Sequence, residues 1–240
     1  FKLMRPLVEF RARTFKENIP LGGSVLEIGC SSGFFLDRIR KDYSVYGNEW
    51  NPDDAAYVRY VGEIPCEEGD IDDVYPGKRF NAIVALQVLE HQPDPIAWLR
   101  KVKERLTGGG YLYIEIPNTN DALLSVYGVP EFKQFWFHEP HITYWHRETI
   151  ASVLGSLGFE AQVQGMQKYG LVNHINWQLN HAPMNDPREG KLFWQPVDRA
   201  HPLSGVMNRI TSKLDKEYRA QLETLGACDT ISAIARRQEI

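Results

Sequence analysis

A chain of 240 residues with 43% hydrophobic and 24% charged side chains has the balance of an ordinary globular domain. Its formal net charge of −4 gives no electrostatic reason to expect a nucleic acid partner, and no apolar run is long enough to span a bilayer. Cys30, Cys66 and Cys228 are odd in number and far apart, so neither a zinc motif nor a disulfide framework is expected, and a reducing cytoplasm suits three unpaired thiols.

Leu7, Val8, Phe10 and Phe15, set among charges, predict an amphipathic helix over 5–18, ended by Pro20 and Gly22-Gly23. Residues 24–28 (SVLEI) read as a first strand, followed by a glycine turn and a helix over 34–41. A second strand spans 43–49, and Asn51-Pro52-Asp53 opens a helix running to Tyr60, with Pro52 suited to its first turn. Residues 64–66 are a weak third strand. The near-continuous apolar run 80–86 (FNAIVAL) marks a fourth strand buried on both faces. A helix over 93–106 is expected to stop at Gly108-Gly109-Gly110, before a fifth strand over 111–116 closed by Pro117. A helix over 147–157 and a sixth strand over 159–165 follow.

Strands and helices in alternation imply a parallel sheet covered on both sides. The expected fold is α/β: a doubly wound, mostly parallel, seven-stranded Rossmann-like sheet with an N-terminal helix and an insertion before the last strand. That insertion, 171–228, breaks the alternation. Pro183, Pro187, Pro196 and Pro202 make 181–202 a long ordered loop, and Leu203, Val206, Ile210, Leu214, Tyr218 and Leu222 place a helix over 203–225. Residues 229–236 form the last strand. A single domain over 1–240 is expected, with 22–165 and 229–238 as the ligand-binding core and 171–228 as a lid or acceptor insertion. The first residue is Phe1 rather than Met, which fits a piece of a larger polypeptide.

In such a sheet, ligands bind beyond the carboxyl ends of the strands. The segment Val25-Leu26-Glu27-Ile28-Gly29-Cys30-Ser31-Ser32-Gly33 lies there, running from a strand through small residues into a helix start. It reads G-x-S-x-G, not the G-x-G-x-x-G of dinucleotide sites. Glu27, two places before Gly29, suits a cationic ligand better than a pyrophosphate. The segment resembles the first motif of class I S-adenosylmethionine (SAM) dependent methyltransferases, E/D-x-G-x-G-x-G, with Ser31 in place of the central glycine. The resemblance covers residues 22–165 and the final strand. It implies SAM as cofactor, with Glu27, Gly29, Ser31 and Gly33 around the methionine half. Glu49, 22 positions after Glu27, ends the second strand and can accept both ribose hydroxyls, with Trp50 beside the adenine. In Gly69-Asp70-Ile71 the resemblance implies that Asp70 bonds the adenine amino group and that the Ile71 N–H meets the ring. Gln87-Val88-Leu89-Glu90-His91 is similar to the LEH segment of one broad branch of the family, which puts Gln87 at the methionine moiety and His91 near the transferring methyl.

Methyl transfer from a sulfonium is an in-line displacement, in which orientation supplies much of the acceleration and a hydroxyl acceptor gains from a base. The candidate bases are His91, His138, His141 and His146. The segment 137–145 (FHEPHITYW) resembles the H-x-x-Y-F-S segment of the same branch, with Trp145 and His146 replacing Phe and Ser. This favours His141, then His138; each could equally cap a helix or bond a carbonyl. No metal is expected, since a matching acidic constellation is missing. Aromatics between Tyr127 and Trp145, with Trp177, Phe193 and Trp194, either pack the lid or form an acceptor pocket. The leading function is SAM-dependent transfer of a methyl group to a hydroxyl of a sugar, glycan or other small molecule. The C-terminal arrangement is similar to methyltransferases of surface-sugar pathways, so fusion to a glycosyltransferase, or action beside one, would fit. The alternatives are a C- or N-methyltransferase on a sugar nucleotide, quinone or secondary metabolite, an NAD-dependent oxidoreductase, and a non-catalytic SAM-binding module.

Overall fold

A computed structural model describes residues 5–186 and 200–239. Strands β1 (Ser24–Ile28), β2 (Ser44–Asn48), β3 (Cys66–Glu67), β4 (Phe80–Leu86), β5 (Leu106–Pro117), β6 (Phe159–Met166) and β7 (Thr230–Arg237) form one sheet in the order β3-β2-β1-β4-β5-β7-β6. The β1–β2, β1–β4, β2–β3 and β4–β5 pairs are all parallel. Gln238, just past β7, donates its N–H to the carbonyl of Gly158, just before β6, so the last strand runs against its neighbour. This is the expected doubly wound, mostly parallel sheet, and the strand order reverses between β1 and β4.

The chain divides into two compact units: residues 1–116, 148–163 and 232–240, and residues 117–147 and 164–231. In the first, β4 is buried from Ala82 to Ala85 and at Phe80, as its apolar run requires, with Leu86 half-buried and Asn81 exposed; the Asn81 carboxamide accepts the Ser24 N–H at 2.9 Å. Helix α1 (Arg5–Asn18) buries Val8, Ala12 and Phe15. The Phe15 ring meets Phe35 at 5.5 Å, Tyr43 at 5.2 Å and Tyr113 at 6.2 Å between centroids. Full burial of such a side chain contributes roughly 1.5–3 kcal/mol. Helix α2 (Phe34–Ile39) follows the glycine turn. In α3 (Pro52–Tyr60), the Asn51 side chain caps the first turn by accepting the Asp53 N–H at 2.9 Å, and Pro52 occupies the first position. Helix α4 (Pro95–Arg105) is capped the same way by Asp94, which accepts the Ala97 N–H at 2.9 Å.

The three glycines do not stop α4. The helix ends at Arg105 and β5 begins at once, at Leu106. Phe80 pairs with Leu106 and Ala82 with Tyr111, so residues 107–110 form a bulge. A Cβ on Gly110 would lie 3.0 Å from the Thr107 carbonyl oxygen and 3.2 Å from that of Asn81, which explains glycine there.

Helix α7 (Arg147–Ser156) is as expected. In the second unit, α5 (Ala122–Ser125), α6 (Pro130–Trp136) and α8 (Leu171–Asn180) are elements that the pattern did not predict. Leu123, Val129, Phe132 and Trp177 form their common core. Helix α9 (Ser204–Leu225) matches its expected span and ends at Gly226 with φ 69°. Of its apolar stripe, Leu222 is buried with Ala122 and Ala227 and Tyr218 packs against them, while Val206, Ile210 and Leu214 are exposed. Of the loop expected over 181–202, residues 187–199 lie outside the described residues, as do Phe193 and Trp194. No helix among the described residues is long and apolar enough to cross a membrane.

Candidate active site

The turn after β1 carries three left-handed residues: Gly29 (φ 66°), Ser31 (φ 46°) and Gly33 (φ 71°). Glycine is required at 29 twice over, since an added Cβ would stand 2.8 Å from Val88 Cγ2. The Cys30 N–H donates to the Asn48 carbonyl at 3.0 Å, locking the turn to the end of β2. Glu49 reinforces the lock. One carboxylate oxygen accepts the Ser31 N–H at 2.7 Å, and the other accepts the Asn51 N–H at 2.9 Å. The carboxylate read as a ribose acceptor is thus also a strut between the glycine turn and the start of α3. Each oxygen retains a second lone pair.

Beyond β1, β2 and β4 lies a cavity of about 560 Å³, lined by Ile28, Gly29, Asn48, Trp50, Asp70, Ile71, Gln87, Val88, His91, Gln92, Pro93 and Trp98. Its size falls within the roughly 300–1,000 Å³ of small-molecule sites. Of the anticipated cofactor residues, Gly29, Trp50, Asp70, Ile71 and Gln87 meet there, together with His91. Glu27, Ser31, Gly33 and Glu49 do not form its wall. The Ile71 N–H, expected to meet an adenine, donates to the Asp70 carboxylate at 2.6 Å.

Two wall residues carry orphaned polar atoms. Gln87 holds a left-handed backbone (φ 62°), costly for any residue but glycine, and its buried Nε2 has no hydrogen-bond partner. Its own N–H donates to the Glu115 carbonyl at 2.8 Å, which fixes the bend at the end of β4. Strain and an unmet donor in one side chain are the usual marks of a ligand contact. Asn48, which pattern reading missed, is fully buried. Its Nδ2 donates to Gly69 O at 2.9 Å and Glu67 O at 3.2 Å, while its Oδ1 has no partner. A polar residue one place before an acidic strand end was the available signal.

Under the turn lies a charged cluster. Arg11 pairs with the fully buried Glu115, donating from Nε at 3.0 and 2.9 Å and also from Nη2, and the Tyr113 hydroxyl donates to the same carboxylate at 2.8 Å. Burial pushes the Glu27 carboxyl well above its ordinary range, against the pull of Arg11, and its Oε2 has no partner. Cys30 and Cys66, distant in sequence, stand 3.7 Å apart through sulfur. The contact with Cys66 and burial push the Cys30 thiol up, so it is inert at neutral pH.

In the second unit the structure brings His138 and His141 together, with ring centroids 4.8 Å apart. The Tyr144 hydroxyl organises them, accepting the His138 N–H at 3.1 Å and donating to Trp136 O at 3.1 Å. The His141 N–H donates to His138 O at 3.0 Å. His146 has the structural role: its Nδ1 bonds Thr119 Oγ1 at 2.8 Å.

Comparison with known proteins decides the family. A family model described as a methyltransferase domain matches residues 2–164. The chain belongs to that family. Its cofactor is S-adenosylmethionine, and the cavity fits one: a donor at Gln87, an acceptor at Asn48, a carboxylate at Asp70 and a close-packed glycine turn. A tRNA U34 carboxymethyltransferase of Alteromonas mediterranea is 23% identical over 77% of this chain and 58% of its own length, so the chain spans little more than half of that relative. A ubiquinone biosynthesis O-methyltransferase of Cereibacter sphaeroides is 25% identical over 69% of this chain and 70% of its own. A SAM-dependent methyltransferase structure from Archaeoglobus fulgidus has the same fold, with TM-score 0.61 and 18% identity over 97% of this chain and 94% of that one.

Proposed function

We propose that this methyltransferase transfers its methyl group to a hydroxyl oxygen of a small molecule. SAM supplies an electrophilic methyl on a sulfonium. The residues of the cavity orient it: Gln87 and Asn48 offer one donor and one acceptor, Asp70 offers a carboxylate to the adenine amino group, and Trp50 packs beside the ring. Glu27, Gly29, Ser31 and Gly33 would shape the methionine end, and Glu49, which braces the turn from outside the cavity wall, would hold the ribose hydroxyls with its remaining lone pairs. In the displacement an oxygen–carbon bond would form as the carbon–sulfur bond broke, and a histidine, His141 before His138 or His91, would take the hydroxyl proton. A neutral imidazole is the natural acceptor of that proton near neutral pH.

Gln87 carries the cofactor part of this reading, because it joins a strained backbone to an unmet buried donor on the cavity wall at the end of β4. An oxygen acceptor is supported by the O-methyltransferase relatives, among them the Cereibacter protein. The tRNA and ubiquinone names of the relatives reported above do not support a sugar or surface-sugar acceptor. A tRNA acceptor has the Alteromonas relative in its favour and the acidic net charge against it. The test is incubation with methyl-labelled SAM and a panel of phenols, saccharides and tRNA, with product analysis by NMR. Label in a methyl ether of a small molecule is the expected result. Label in RNA, or on nitrogen or carbon, would replace the reading. Binding of SAM without turnover on any acceptor would leave a cofactor-binding module, and binding of NAD instead of SAM would overturn the assignment.

A further inference from the structure

The second unit contains a cavity of its own, about 200 Å³ in volume. Its apolar walls come from Leu123, Phe132, Phe135, Trp136, Trp177 and Met184. The rings already pack on one another: Phe132 and Trp177 meet edge to face, 5.0 Å apart at 78°, and Phe132 and Trp136 lie 5.2 Å apart, tilted at 32°. A dry apolar cavity of about 150 Å³ accommodates one benzene ring, so 200 Å³ suits one ring with a short substituent.

The polar groups on the wall narrow the choice. The indole Nε1–H of Trp136 is buried and has no hydrogen-bond partner. Asp121 is 2% exposed and caps α5, accepting the Leu123 N–H at 2.7 Å. Burial, with Asp229 adding to it, pushes the Asp121 carboxyl up to about 8. His174 is 1% exposed, and burial takes its imidazole down to about 4, with Arg219 acting in the same direction. His174 is engaged on both nitrogens, with the Tyr218 hydroxyl at 2.5 Å and Gln167 Nε2 at 3.4 Å. Asp121 and His174 therefore both favour their neutral forms near pH 7, burial also pushes the Tyr169 hydroxyl on the same wall up, and none of the three favours the form that would serve as a counter-ion. A charged ligand would be desolvated without a partner. A neutral ring would gain the apolar walls, and an acceptor atom on it would meet the orphaned indole donor.

We propose that this cavity is a binding site for a single uncharged aromatic ring that carries a hydrogen-bond acceptor such as a carbonyl or ether oxygen. The site goes beyond the methyl-transfer reading and stands whichever acceptor the enzyme methylates.

Three fluorinated probes test it by ¹⁹F NMR on the full chain: 4-fluoroacetophenone, 4-fluorotoluene and 4-fluorobenzoate at pH 7. The ketone is expected to bind most tightly, the toluene more weakly, and the carboxylate not at all. Trp136→Phe keeps the ring and removes the donor; it should weaken the ketone about fivefold and leave the toluene unchanged. Met184→Trp, on the half-buried wall, should fill the cavity and abolish both, which decides the matter if Trp136→Phe fails to fold. Saturation with S-adenosylhomocysteine should leave ketone binding intact. No binding of either neutral probe, binding of the carboxylate as tight as the ketone, indifference to Met184→Trp, or displacement by S-adenosylhomocysteine would each overturn the site. A failure of SAM binding would instead count against the family reading and leave these outcomes untouched.

Discussion

Glu49 offers the sharpest test of how the cofactor site is built. Its two carboxylate oxygens receive N–H groups from Ser31 and Asn51, on opposite sides of the β2 end. Glu49→Ala removes both bonds and frees a turn whose central serine is held left-handed. A hydrogen bond to a charged acceptor is worth about 1.5–3 kcal/mol when buried; these are partly exposed, so the pair together is worth about 1–2 kcal/mol. Most of that should appear as the cost of reordering the turn when ligand binds, a loss of affinity of about 5- to 30-fold. Glu49→Gln separates the strut from the charge. Its carboxamide oxygen can still accept one N–H, but its NH₂ group faces the other donor, so the loss should fall between wild type and alanine. Calorimetric titration with S-adenosylhomocysteine measures the affinities, and thermal unfolding of the free proteins shows whether the fold survives. Equal affinity in all three folded proteins would refute both the strut and the placing of Glu49 at the cofactor.

Gly29→Ala must take a positive φ and bring its Cβ to 2.8 Å from Val88; S-adenosylhomocysteine binding should be abolished, and retained binding would show that the turn relaxes freely. Arg11→Met leaves Glu115 buried without its cationic partner and should destabilise the folded protein by about 3–5 kcal/mol in denaturant titration, while adding Glu115→Gln should recover most of it; a double variant as unstable as the sum of the two singles would contradict the pairing. Asp121 has a folded value raised from 3.8 to about 8, so the unfolded state releases its proton first and stability falls as pH rises through that window. His174, lowered from 6.5 to about 4, loses stability as pH falls through its own window, so the two slopes oppose each other below about 6.5 and only that of Asp121 remains above it. Asp121→Asn should therefore flatten the stability profile between pH 6.5 and 8, as read by chemical denaturation; an unchanged slope would remove Asp121 as its source.

The parts of the molecule legible in the sequence are those written locally. The apolar run of β4 leaves few alternatives to a buried parallel strand, and the spacing from Glu27 to Gly33 announces a tight turn opening a helix. Contacts that bridge distant residues were not legible. Glu49 looks like a ligand carboxylate because its Ser31 partner lies on another strand end, and Asn48 looks like filler until Gly69 and Glu67 come within its reach. Three successive glycines read as a stop, yet the pairing of β5 with β4 turns them into a bulge, since sheet register overrides local propensity. Helix α6 spans only seven residues, too short for a periodic pattern, although Pro130 marks its start; α8 was missed even though Leu171, Val172, Ile175 and Leu179 stand at helical spacing, because it lies inside a segment read as an insertion. The spacing of α9 predicted its helix correctly but not how much of the stripe is covered, Leu222 being buried and Val206, Ile210 and Leu214 exposed, because periodicity shows which residues share a face but not what covers it.

The left-handed backbone at Gln87 also bears on how the enzyme would respond to laboratory evolution. A non-glycine residue held there costs about 1–2 kcal/mol, which glycine would recover. A screen for heat resistance alone would thus be drawn to Gln87→Gly and would discard the carboxamide on the cavity wall with the strain. On the proposed reading, in which the Gln87 carboxamide holds the cofactor, thermostability and cofactor affinity compete at this one position, and a selection scheme that rewards only the first would drift away from catalysis.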